Sequence, residues 1–123
     1  MSNLRLIKQT TTGSGVATIN MEDVFSADFD IYKVTMHNTS YDVTNTDVIA
    51  MKARFIDSGG SIISASNYDS ANMFMKAEAT KDEDKFQNGA YSYSGAIIGN
   101  YENGGGVHWI YNPFSSSSYT FMT

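Results

Sequence analysis

Catalysis by an activated hydroxyl needs a base beside the nucleophile. The histidines His37 and His108 are therefore the first residues to weigh. Serine is abundant, so a Ser–His neighbour by chance would carry little meaning. The Gly-x-Ser-x-Gly elbow is absent, and nothing orders an Asp–His–Ser set. Carboxylates gather in two places: Glu22, Asp23, Asp28 and Asp30 around Phe25, and the run Asp82-Glu83-Asp84. Glycoside hydrolysis needs two carboxyls facing each other across a groove, about 5 to 9 Å apart. Near neighbours on one loop do not supply that, and a solvated acidic loop is the simpler reading. The chain is expected not to be an enzyme.

Metal chemistry is equally thin. Asp82-Glu83-Asp84 lacks the Asp-x-Asp-x-Asp-Gly run and the distal Glu of an EF-hand. Calcium held by irregular acidic loops stays open as an alternative. Two histidines in unrelated segments make a poor zinc site. No cofactor is expected.

The aromatic residues are more informative. Trp109 lies in Val107-His108-Trp109-Ile110-Tyr111, where alternation sets Val107, Trp109 and Tyr111 on one face and His108 with Ile110 on the other. An exposed Trp face would be a stacking platform for sugars. A buried one would anchor a core, and this reading is favoured, since large aromatics dominate such cores. Tyr91, Tyr93, Tyr101 and Tyr111 offer contact area at low entropic cost. The candidate binding surface is thus Trp109, Tyr111, Tyr101 and Tyr91.

The elements that must position these residues read as strands. The 123 residues are expected to form one domain, 1–123, large enough to bury a core without disulfide or metal staples. There is no cysteine, which fits assembly in a reducing cytoplasm. The net charge of −5 is spread without a basic run, so nucleic acid is not an expected partner. No stretch approaches the roughly 20 apolar residues of a membrane-spanning helix, and no membrane partner is expected. The first residues lack the apolar core of a signal peptide. Ser, Thr, Asn, Gly, 8 Tyr and 7 Phe suit short strands and tight turns.

Leu4–Gln9 and Val16–Asn20 read as a hairpin turned at Thr12-Gly13-Ser14-Gly15. Phe29–His37 is the clearest strand, with Tyr32, Val34 and Met36 inward and Phe29, Ile31, Lys33 and Thr35 outward. Val48–Asp57 alternates again, Ile49, Met51, Ala53 and Phe55 inward, Lys52 and Arg54 outward. Asp57-Ser58-Gly59-Gly60-Ser61 turns it back into Ile62-Ile63-Ser64. Tyr68–Ala79 reads as extended with a short helical turn near 68–76. Lys81–Lys85 reads as a charged loop. Ala90–Gly99 and Val107–Asn112 read as strands joined by Asn100–Gly106. Asn112-Pro113-Phe114 is a turn, and Tyr119–Met122 begins a further strand. Seven or eight short strands with regular turns predict an all-β fold, an antiparallel β-sandwich of jelly-roll type. The apolar Phe121 and Met122 near the end suggest a strand cut short. The expectation is that the natural protein continues, or that a partner supplies the missing pairing.

Four stretches resemble small virion structural proteins of tailed bacteriophages, marine ones especially. They are Asp23–Val34, Arg54–Ile63, Ser66–Ala71 and Tyr111–Thr120. The resemblance spans most of the chain, and its members run on past the Ser-rich loop to further strands. It implies a jelly-roll-like protein of the virion, assembled in the host cytoplasm, with no catalytic residues. The implied role is capsid decoration, or a tail or fibre component, through contacts with other virion proteins and copies of itself. The alternative is a receptor- or carbohydrate-binding module of a tail fibre, with host glycan as ligand.

Overall fold

The computed structural model describes residues 4–40, 49–75, 81–98 and 103–123. These form seven strands and no helix: β1 (Ile31–Ser40), β2 (Ile49–Ala53), β3 (Tyr68–Met75), β4 (Lys81–Gly89), β5 (Ser92–Ile98), β6 (Asn103–Tyr111) and β7 (Phe121–Met122). The fold is all-β and its ladders are antiparallel. β1, β6 and β7 make a three-stranded sheet in that order, while β2–β5 and β3–β4 are two-stranded. The chain divides into two compact units, one of residues 1–37 and 107–123, the other of 38–106.

In the first unit, β1 alternates as its sequence requires. Tyr32 is buried, Val34 and Met36 are half-buried, and Ile31, Lys33 and Thr35 face outward. In β6, Ile110 is buried and His108 half-buried, while Val107 and Trp109 are exposed. Asn112 N–H donates to Asp30 O at 2.8 Å, which lays the ends of β1 and β6 side by side. β7 pairs Met122 with Ile110 and Phe121 with Tyr111. The pairing extends to Thr123, which exchanges both backbone bonds with Trp109 at 2.8 and 2.9 Å.

The centre of this unit is Tyr32, only 6% exposed. Phe25 meets it edge-on with ring centroids 4.9 Å apart, and Phe29 does so at 6.1 Å. Its hydroxyl accepts from Ser26 N–H at 2.8 Å and donates to Ser26 O at 2.9 Å. One phenol thereby satisfies both backbone groups of a loop residue that no strand pairs. Ser26 Oγ turns the other way, donating to Asp28 Oδ2 and accepting from Asp28 N–H, both at 3.3 Å.

The second unit repeats the device. Tyr68 is 7% exposed and stacks on Phe55, with centroids 6.4 Å apart. Its hydroxyl accepts from Phe55 N–H at 2.8 Å and donates to Ile63 O at 2.9 Å. Ile63 N–H in turn donates to Phe55 O at 2.9 Å. An ordinary antiparallel pair would exchange two direct bonds; here the phenol relays the second. That explains why the Arg54–Ser64 hairpin contains only the single bridge Ile56↔Ile62 instead of two long strands. Its turn forms as the sequence predicts: Asp57 Oδ1 accepts from Gly59 and Ser61 N–H, both at 2.9 Å. Gly60 there adopts φ 79°, which glycine takes without a Cβ penalty.

Four expectations are corrected. Residues 4–20 carry no strands, although the turn at Ser14–Gly15 forms. Their apolar side chains stay largely exposed, Leu6 at 75% and Val16 at 51%, and an isolated hairpin is marginal in water. The helical turn near 68–76 is absent from the described part of that span, Tyr68–Met75, which is strand β3. Tyr68, Ser70 and Asn72 turn inward at period two while Ala71 and Met73 face solvent. The charged Lys81–Lys85 segment is part of β4 and pairs with β3, Asn72 opposite Asp84 and Met73 opposite Glu83. Backbone pairing is indifferent to side-chain charge when the charges point to water, and charged residues suit exposed edges. The Gly-rich connector is shorter than expected, because Asn103–Gly106 already belongs to β6. Gly104 O accepts the Thr39 Oγ1 proton at 2.9 Å.

Tyr32→Phe and Tyr68→Phe each strand a backbone donor and acceptor, and each should lower unfolding stability by about 1–3 kcal/mol. Tyr119, exposed to solvent, should tolerate the same change with a shift under about 0.5 kcal/mol. Urea denaturation of the three variants checks this; equal midpoints would refute the buried-phenol account.

Candidate binding surfaces

The candidate residues fall into separate groups. Trp109 and Tyr111 lie on the outer face of β6 in the first unit. Tyr91 belongs to the second unit. Tyr101 lies outside the described residues.

Trp109 is 36% exposed, which corrects the expectation of a core anchor. Alternation is the reason. Ile110 takes the buried position, so its neighbour must face out. The Lys33 ammonium stands 5.5 Å from the indole centroid, a cation–π contact between adjacent strands. Ile31, Val107 and Phe121 are exposed on the same face, and half-buried Tyr111 lies beside Phe121. The outer face of β1–β6–β7 thus gathers Ile31, Val107, Trp109 and Phe121 beside Lys33, with the polar Thr35 and His37 further along β1.

The second group is built from three segments. Lys52 on β2 lies opposite Tyr93 on β5, two residues beyond Tyr91. Phe86 from β4 packs against both tyrosines, with centroids 5.5 Å from Tyr91 and 5.8 Å from Tyr93. The two phenol rings meet edge-on at 5.5 Å. Lys52 Nζ is 4.4 Å from the Tyr91 centroid, and the Arg54 guanidinium carbon is 6.0 Å from it. Arg54 Nε donates to Ala90 O at 2.9 Å, which fixes its plane. The Tyr93 hydroxyl beside it holds Tyr91 below the ordinary phenol range, opposed by desolvation and reinforced by the charges of Lys52 and Arg54. The same contact pushes Tyr93 up, with Asp84 adding to the effect.

Of the two histidines, His108 has its Nε2 buried without a hydrogen-bond partner, and His37 is exposed on β1. Among the described residues no group of three or more His, Cys, Asp or Glu is placed to hold a metal ion. No helix among them is long and apolar enough to cross a membrane. A shallow depression of about 160 Å³ is lined by Arg5, Leu6, Asp23, Val24, Ser26 and Phe29, among others. That is below the roughly 300–1,000 Å³ of sites that enclose small molecules.

Alternation sets Lys52 and Arg54 outward but does not reveal that they converge on Tyr91. The signal lay in two alternating pairs, Lys52-x-Arg54 and Tyr91-x-Tyr93, which pairing of β2 with β5 brings together. No protein-family model, no curated protein and no solved structure matches the chain.

As pH rises into the phenol range, Tyr91 should lose its proton before Tyr93. Ultraviolet titration at the phenolate band should therefore lose its earliest step in Tyr91→Phe, and Tyr93→Phe should move that step to higher pH. The cluster also constrains Gly89, which is buried: a Cβ there would fall within the Phe86 ring. Gly89→Ala should cost about 1–3 kcal/mol by overpacking and weaken the near-ultraviolet circular dichroism of the tyrosines. An unchanged spectrum and midpoint would contradict this packing.

Proposed function

We propose that the chain is a structural protein of a tailed-phage virion, placed at the particle surface as a capsid decoration or a tail or fibre component. Its work is adhesive and requires no catalytic residue. The observation that carries this reading is the outer face of β1–β6–β7. Ile31, Val107, Trp109 and Phe121 lie exposed there together, and contiguous apolar surface on a soluble domain marks an interaction site. The sequence resemblance over Asp23–Val34 and Tyr111–Thr120 supports the same reading and supplies the virion context.

In this reading the small sheets are one part of a jelly-roll-type sandwich completed by neighbouring chains. An interface of about 1,600 Å² per contact, repeated by symmetry, suffices to hold such a protein. The partners are other virion proteins and further copies of the chain, assembled in the host cytoplasm. The second reading is a carbohydrate-binding module of a tail fibre, favoured by the exposure of Trp109 beside Tyr111. Lys33 already occupies space over the indole, which favours a protein contact over a stacked sugar. A glycan array separates the two.

Mass spectrometry of purified virions should find the chain in fixed copy number relative to the major capsid protein. Its absence there would overturn the proposal. Trp109→Asp should reduce incorporation by about thirtyfold, the loss of one interface hot spot of 2 kcal/mol.

A further inference from the structure

Two cations in the second unit converge on one ring. Lys52 Nζ and the Arg54 guanidinium carbon both lie within 6.0 Å of the Tyr91 centroid. The sequence holds 13 acidic residues against 8 basic ones. Yet no carboxylate among the described residues lies within ion-pair distance of Lys52 or Arg54. The charge of Asp84 acts on Tyr93. Two like charges at one surface repel, modestly in water but persistently. An oxyanion placed between them removes that repulsion.

The donors suit such a guest. Arg54 spends one N–H on Ala90 O, which orients the fork and leaves its terminal N–H groups for a planar carboxylate or a phosphate. Lys52 adds a point charge with rotatable donors. The Tyr91 hydroxyl stands beside them, hydrogen-bonded with Tyr93 and Lys52, and Phe86 packs against both phenol rings. Lys52 and Arg54 are exposed, so the site is open to a ligand from solution.

We propose that Lys52, Arg54, Tyr91 and Tyr93 form an oxyanion-binding site for a small ligand bearing a carboxylate or a phosphate. The site is independent of the virion reading, since it needs only the chain in solution. It recognises charge and planarity rather than an apolar shape. A uronic acid and a free phosphate share the chemistry that it reads.

The test is two-dimensional NMR of the full chain titrated separately with glucuronate, inorganic phosphate and uncharged glucose. At about 10 mM, glucuronate or phosphate should shift the resonances of Lys52, Arg54, Tyr91 and Tyr93 saturably, with glucose leaving them in place. Shifts with glucuronate alone assign a sugar acid. Shifts with phosphate, alone or with glucuronate, assign the bare oxyanion. Lys52→Met and Arg54→Met should each weaken binding about tenfold or more, and Arg54→Lys less, since it keeps the charge and loses the fork. Bound ligand should also delay ionisation of Tyr91 on raising the pH. No shift with either anion, equal shifts with glucose, or shifts that persist undiminished in the Lys52→Met/Arg54→Met double variant would overturn the site.

Discussion

A buried phenol that hydrogen-bonds two backbone groups at once is the interaction on which each unit depends. Among the described residues the buried hydrophobic ones are Tyr32, Tyr68 and Ile110. What must be solved is the pairing of backbone groups that short ladders leave over, because each unpaired buried donor or acceptor costs about 1–3 kcal/mol. Tyr32 solves it for Ser26 and Tyr68 solves it for Phe55 and Ile63. Both phenols do so while their rings pack on Phe25, Phe29 and Phe55. A phenylalanine would provide the ring contact and leave the backbone groups orphaned.

That economy leaves surfaces for other uses. With its interior anchored at Tyr32 and Ile110, the first unit can present Ile31, Val107, Trp109 and Phe121 to the outside on alternate positions. In the second unit, pairing of β2 with β5 turns Lys52, Arg54, Tyr91 and Tyr93 into one polar aromatic patch. The two faces differ in character. One gathers four exposed apolar side chains, with Lys33 over the indole. The other holds two cations that no carboxylate among the described residues pairs.

Much of this was legible in the residues. The inward set Tyr32, Val34 and Met36 follows from period two, as does the outward placement of Lys52 and Arg54. The Asp57–Ser61 turn follows from its glycines. Local pattern failed where long-range pairing decided the outcome. Lys81–Lys85 looks like a solvated loop because its side chains are charged, but its backbone pairs with β3. Leu4–Gln9 looks like a strand because Leu4 and Leu6 alternate, but Leu6 stays 75% exposed. Trp109 looks like a core anchor because it is large, but its position next to buried Ile110 turns it outward. The phenol relays were not visible at all, since nothing in a sequence says where a tyrosine hydroxyl will end.

The central claim is that Tyr32 and Tyr68 hold loop backbone as firmly as strand pairing would. Native-state amide hydrogen exchange tests it directly. The Ser26 and Phe55 amides, which lie outside every strand, should exchange as slowly as the ladder amides of β1 and β2. Exchange of Ser26 and Phe55 at the rate of unprotected loop amides would contradict the account.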